Sequence, residues 1–114
     1  MAPLQRLTRR AEFQTVAASR QKSVAPGLIL QAHPRPMAET LRVGFTASRK
    51  VGNAVARNRA RRRLRAAAAA LMPRHAARGH DYVMVARAGT LTRPYGELLA
   101  DLLAGLRRLG VYRE

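Results

Sequence analysis

Six arginines crowd positions 57 to 65 of the chain: Arg57, Arg59, Arg61, Arg62, Arg63 and Arg65, with Asn58 set between the first two. A guanidinium is a planar fork of donors that can bond two oxygens of one phosphate at once, so a dense arginine run points to phosphate recognition. No aspartate or glutamate lies between Glu39 and Asp81. These cations therefore have no acidic partner nearby in sequence, and like charges one helical turn apart cost roughly a few tenths of a kcal/mol per pair. A face built for solubility alone would mix signs. Arg49 and Lys50 stand just upstream, where the free amides of a helix start add a second place for phosphate.

Chemistry of other kinds finds little support. His33 lies in a proline-containing loop, His75 in an expected turn and His80 at an expected strand start, and their spacing suits neither a metal site nor a catalytic triad. The six carboxylates are scattered along the chain. Catalytic residues and metal ligands borne by the protein are not expected.

The arginines need an element to hold them. Val43, Phe45 and Ala47 alternate with Gly44, Thr46 and Ser48, the period of a strand with one buried face. Gly52 breaks that run, and Asn53 can cap a helix expected to continue to about Met72, where Pro73 is expected to stop it. On this helix Ala56, Ala60, Leu64, Ala67 and Leu71 form one narrow apolar face. Arg59 and Arg63 flank it on one side and Arg57 and Arg61 on the other, while Asn58, Arg62 and Arg65 point away. The helix presents a cationic ridge.

Elsewhere, residues from Thr8 to Arg20 read as a short helix capped by Thr8, with Phe13 and Val16 apolar. Residues 20 to 26 read as an edge strand or a loop, and Leu28 to Ala32 as a strand expected to form a long-looped hairpin with residues 42 to 48. The apolar segment His80 to Arg87 is a further strand. With the arginine helix before it, this strand makes a crossover unit, parallel to residues 42 to 48 if the two are neighbours. Leu98, Leu99, Leu102, Leu103, Leu106 and Leu109 place a last helix at residues 92 to 109, with Pro94 in its first turn. The expected architecture is an α+β sandwich, residues 1–114 forming a single domain.

The formal charge is +16, from 22 Lys and Arg against 6 Asp and Glu, which makes nucleic acid the first candidate partner. No apolar run approaches the roughly 20 residues that span a bilayer, and the first residues lack the apolar stretch of a signal peptide. Zero cysteines fit a reducing compartment. The expected location is the cytoplasm, without a membrane partner.

From Gly44 to Arg65 the chain reads GFTASRKVGNAVARNRARRRLR. This segment resembles the signature of the bacterial ribonuclease P protein subunit: a serine and two basic residues, then Gly-Asn-Ala-Val, then an Arg-Asn-Arg triplet and a basic helix. The resemblance extends over nearly the whole chain. It implies a two-layer sandwich of a four-stranded sheet and three helices, similar to a domain of a small-subunit ribosomal protein. It also implies a left-handed βαβ crossover, where the general rule would give a right-handed one.

The same resemblance implies that the catalytic RNA subunit performs hydrolysis with bound Mg2+, with no cofactor held by the protein alone. The protein would help bind precursor tRNA and mature its 5′ end. By position, Arg49, Lys50, Arg57, Asn58, Arg59, Arg61, Arg62 and Arg65 would contact the catalytic RNA or lie where it meets the substrate. A cleft between the first helix and the sheet would hold the single-stranded 5′ leader, with Phe13 and Phe45 as its aromatic candidates. The chain departs from the family pattern at Ala17 and Gln31, where aromatics are common, and at Ala66, where a glutamate is frequent. Two other readings are a ribosome-associated structural RNA-binding protein and a self-sufficient nuclease.

Overall fold

The computed structural model describes residues 4–114. In chain order the elements are β1 (Leu4–Arg6), α1 (Arg10–Ala18), β2 (Lys22–Val24), β3 (Leu28–Pro34), β4 (Leu41–Thr46), α2 (Ala54–His75), β5 (His80–Ala86), α3 (Ala88–Thr92) and α4 (Tyr95–Arg108). The strands form one mixed sheet in the order β1-β4-β5-β3-β2.

The sheet is organised by β5. Tyr82, Met84 and Ala86 are buried towards one face, and Asp81 and Val83 towards the other. A strand apolar on both faces belongs in the middle of a sheet. It pairs in parallel with β4, from Leu41 opposite His80 to Thr46 opposite Val85, and antiparallel with β3, from Leu28 opposite Ala86 to Pro34 opposite His80. The expected hairpin between β3 and β4 is therefore absent, because β5 lies between them. Their connection must cross the end of β5, and it is tied there: Arg35 N donates to Gly79 O at 2.7 Å and Gly79 N donates to Thr40 O at 3.0 Å. Gly79 adopts φ +73°, which a side chain would strain.

Both outer strands are short. Residues 22–24, open between strand and loop in the sequence, form the edge strand β2 against β3. On the other side β1 pairs in parallel with β4, a fifth strand where four are expected. Three residues are too few to show alternation, and only the buried Leu7 just beyond it marks this segment as core-facing.

Asn53 caps α2 as predicted, its Oδ1 accepting from Ala56 N at 2.9 Å. Ala60, Leu64, Ala67, Ala68 and Met72 are buried against the sheet, and Ala56 and Leu71 lie at the margin of that stripe. Pro73 does not stop the helix, which continues to His75. Proline's fixed φ is helical and it removes one donor, a small loss one turn from the end. Leu64 is fully buried, so Leu64→Ala should lower stability by roughly 2–5 kcal/mol through a cavity under α2, read as a shifted urea midpoint. An unchanged midpoint would mean that α2 packs through a different face.

The last helical segment breaks in two. Arg93 is extended (φ −65°, ψ 132°) because the ring of Pro94 disfavours helical backbone in the residue before it. Pro94 thus precedes α4 rather than occupying its first turn. Leu98, Leu102 and Leu106 are buried beside α2, with Leu99, Leu103 and Leu109 packed around them. Asp101 is buried too, accepting from Gly27 N at 2.9 Å and Arg93 Nε at 2.6 Å, and so fastens α4 to the β2–β3 turn.

While α2, α3 and α4 cover one face of the sheet, α1 lies on the other, where Leu7, Val16 and Val83 make a small second core with Phe13 and Val85. Arg9, not Thr8, occupies the position before the helix. The carboxylate of Glu12 reaches back to Arg9 N at 3.0 Å and Thr8 N at 3.3 Å, which satisfies the free amides there. Among the described residues, no helix is long and apolar enough to cross a membrane.

Candidate nucleic-acid interface

Packing the alanine and leucine stripe inward turns the arginines of α2 outward. Arg59, Arg62 and Arg65 are exposed with Asn58, and Arg57 and Arg61 are half-exposed. Every ion pair among the described residues uses Arg35, Arg42 or Arg93, which take up Glu12, Asp81, Glu97 and Asp101. Among the described residues, none of the α2 arginines is paired with an acid of the protein.

Two of them are held in place by other means. Arg61 donates to Asn58 Oδ1 at 2.5 Å, and the guanidinium of Arg65 lies 5.9 Å from the centroid of Phe45. Arg63 differs from its neighbours, donating to the carbonyls of Thr90 and Arg93, each at 2.6 Å. It braces α2 against the α3–α4 joint and leaves the ridge. Arg49 and Lys50 are exposed in the turn before α2, where Val51 N and Gly52 N bond back to the carbonyls of Ser48 and Arg49.

On the other face, α1 and the sheet enclose an open cleft of about 450 Å³, walled by Arg10, Phe13, Gln14 and Ala17 from α1. Gln31, Thr46, Val83 and Val85 supply the sheet side, and Phe45 borders it. Phe13 lies directly on Gly44, where a Cβ would come within 2.4 Å of its ring. The absent side chain is what seats the aromatic.

Phe13 thus serves both the small core and the cleft floor. Phe45 is placed differently. With Gly44 facing Phe13, strand alternation sends the Phe45 ring through to the α2 side, where it joins the main core under Arg65. The two aromatic candidates are on opposite faces.

The inferences from sequence alone did not single out Arg10, Gln14 or Thr46. The signal for the first two was present, since positions 10, 13, 14 and 17 share one helical face. Also missed was Arg42, whose guanidinium joins three elements. It bonds Asp81 through Nε at 2.8 Å and a second nitrogen at 2.6 Å, and Glu12 at 2.8 Å. The bond to Asp81 holds Arg42 more firmly protonated than usual. Arg9 N, then Thr8 N and the charge of Arg42, hold the Glu12 carboxyl below the usual range against some desolvation. This bridge sets α1 on the sheet and so fixes the cleft wall.

The β4–α2 turn joins the two surfaces. Thr46 lines the cleft, and Arg49 follows three residues later at the foot of the arginine helix.

Comparison with known proteins gives a consistent result. The family model described as Ribonuclease P matches residues 1–110. The ribonuclease P protein component of Paramagnetospirillum magneticum is 57% identical over 117 aligned positions, covering 99% of this chain and 88% of that protein. The protein of the same name from Gluconacetobacter diazotrophicus is 46% identical, covering 93% and 91%. Among solved structures, the RNase P protein of Staphylococcus aureus superposes with a TM-score of 0.79 at 21% identity, covering 95% of this chain and 97% of that one. That of Thermotoga maritima gives 0.72 at 20% identity, covering 88% and 93%. The structural likenesses carry the fold, and the matches in sequence carry the family. The chain belongs to the ribonuclease P protein family, the protein components of a tRNA-processing endoribonuclease.

Proposed function

We propose that the exposed face of α2, with Arg49 and Lys50 at its foot, holds the backbone of the catalytic RNA of ribonuclease P. The cleft between α1 and the sheet takes the 5′ leader of precursor tRNA. The observation that carries this reading is the distribution of charge: the acids engaged in ion pairs serve Arg35, Arg42 and Arg93, and the α2 arginines are left for an external anion. Phosphate is the polyanion that arginine forks suit best.

Hydrolysis belongs to the RNA subunit with its Mg2+. Among the described residues no three His, Asp or Glu side chains gather where they could share an ion. The chain's own part is to bind and to position, in the cytoplasm, where precursor tRNA is made. Phe13 offers a stacking surface for one leader base, worth roughly 1–3 kcal/mol. Gln14 and Gln31 offer amides to base edges, and Arg10 a charge to the leader backbone. With Ala17 and Gln31 in place of aromatics, stacking rests on Phe13 alone, and polar contacts take a larger share.

The leader assignment is tested by holoenzyme reconstituted with this chain. It should bind precursor tRNA more tightly than mature tRNA, and Phe13→Ala should remove roughly tenfold of that difference while leaving affinity for the RNA subunit unchanged. Equal affinity for precursor and mature tRNA in the unaltered holoenzyme would remove the leader from the cleft.

A further inference from the structure

The arginines of α2 occupy its first three turns, yet a second group gathers at its far end. Arg74 stands in the last turn of α2, Arg78 in the turn after it, Arg107 and Arg108 at the end of α4, and Arg113 near the chain terminus. The backbone brings these three segments together. Ala77 N donates to Val111 O at 2.8 Å, Arg113 N donates to His75 O at 2.6 Å, and Ala76 bridges to Tyr112. All five arginines are exposed, and none takes part in an ion pair among the described residues.

Arg107 and Arg108 of this cluster are held in place. The ring of Tyr112 stacks on His75 with centroids 5.4 Å apart and planes within 5°, and the guanidinium of Arg107 lies 4.5 Å from the Tyr112 centroid. Arg108 reaches back to Val24 O at 3.3 Å. A cation fixed before its ligand arrives loses less freedom on binding. Helix ends also explain part of the placement, since arginine at a helix C-terminus offsets the dipole. That accounts for Arg74, Arg107 and Arg108, but not for Arg78 and Arg113, which lie beyond both helices.

We propose that these arginines form a second phosphate-binding surface, which takes a segment of RNA backbone separate from the one on the first turns of α2. The inference rests on the reading of α2 as an RNA-binding helix. Along α2, Arg57 and Arg74 are 17 residues apart, about 26 Å at 1.5 Å per residue, and the near edge of the first surface at Arg65 is about 14 Å from Arg74. One local contact cannot fill both. The occupant is RNA rather than an acidic protein because the cluster offers arginine forks around a small aromatic stack, and Val24, the exposed aliphatic side chain beside Arg108, is too small to anchor a protein partner by itself.

The chain has no cysteine, so a chemical nuclease can be tethered at one chosen position. Reconstituted complexes of Arg57→Cys and of Arg78→Cys with ribonuclease P RNA should each cut that RNA, at two non-overlapping sets of nucleotides. Cutting from position 57 with none from position 78 overturns the second surface and spares the first. Overlapping cuts overturn their separation, and cutting from neither overturns both. As an independent measure, Arg74, Arg78 and Arg108 replaced together by glutamine should reduce the log–log salt slope of binding by roughly 2, at about 0.7–0.9 per lost phosphate contact. An unchanged slope would show that these side chains meet only solvent.

Discussion

Replacing Arg57, Arg59 and Arg62 together with alanine should lower affinity for ribonuclease P RNA by roughly a hundredfold, at about 1 kcal/mol for each charge-assisted contact, and should leave the fold intact. These side chains point off the packing face of α2 and hold no ion pair within the described protein, so their loss breaks nothing internal. Alanine also has the higher helix propensity, and fewer like charges crowd the ridge. Stability should therefore hold or rise slightly. Binding measured across a salt series shows the cause, because each lost phosphate contact takes about 0.7–0.9 from the log–log slope. Unfolding by circular dichroism, with unchanged RNA affinity per folded molecule, would mean that α2 faces the other way.

Asp81→Ala acts oppositely, on stability first. Asp81 is buried on β5 and receives two bonds from Arg42, with Arg35 at 3.4 Å. Removing it leaves a cation without its main partner on the α1 face of the sheet. Breaking a fully buried pair costs about 3–5 kcal/mol, and since Arg42 keeps Glu12 and some solvent, about 2–4 kcal/mol is expected here, measured by urea denaturation. The same substitution loosens the wall of the cleft, so discrimination of precursor from mature tRNA should fall with it. A shift below about 0.5 kcal/mol would reduce this bridge to an ordinary surface pair.

Acid should reach the same bridge through Glu12. Its carboxyl is held below the ordinary range in the folded chain, so its stabilising contribution is complete above that range and is lost as pH falls through the lowered value. The attachment of α1 is therefore expected to weaken at acid pH and to be insensitive to pH near neutrality.

The ridge was legible in sequence because helical period, cap and charge all agreed: Asn53 caps, Leu64 is buried, and the arginines between them face out, Arg63 excepted. Where sequence and structure part, a non-local partner decides. Nothing local in β3 or β4 shows that β5 will come between them; the two-faced apolar character of β5 was the available clue. Arg63 has the same type and spacing as its neighbours, yet the carbonyls of Thr90 and Arg93 claim it. Nothing local marks Asp101 as a tether, since the amide of Gly27 comes to it from a distant turn and the guanidinium of Arg93 from beyond the helix start. Phe45 looked equivalent to Phe13, and strand alternation beside Gly44 separates them.

The central claim is that this protein works by holding RNA in place for chemistry that the RNA performs. It is tested most directly by adding the purified chain to a bacterial ribonuclease P RNA and following release of the 5′ leader from precursor tRNA as Mg2+ is lowered. The chain should restore cleavage at Mg2+ concentrations where the RNA alone is nearly silent, and without RNA it should be inert. No stimulation at any Mg2+ concentration, or cleavage by nuclease-treated protein alone, would contradict it.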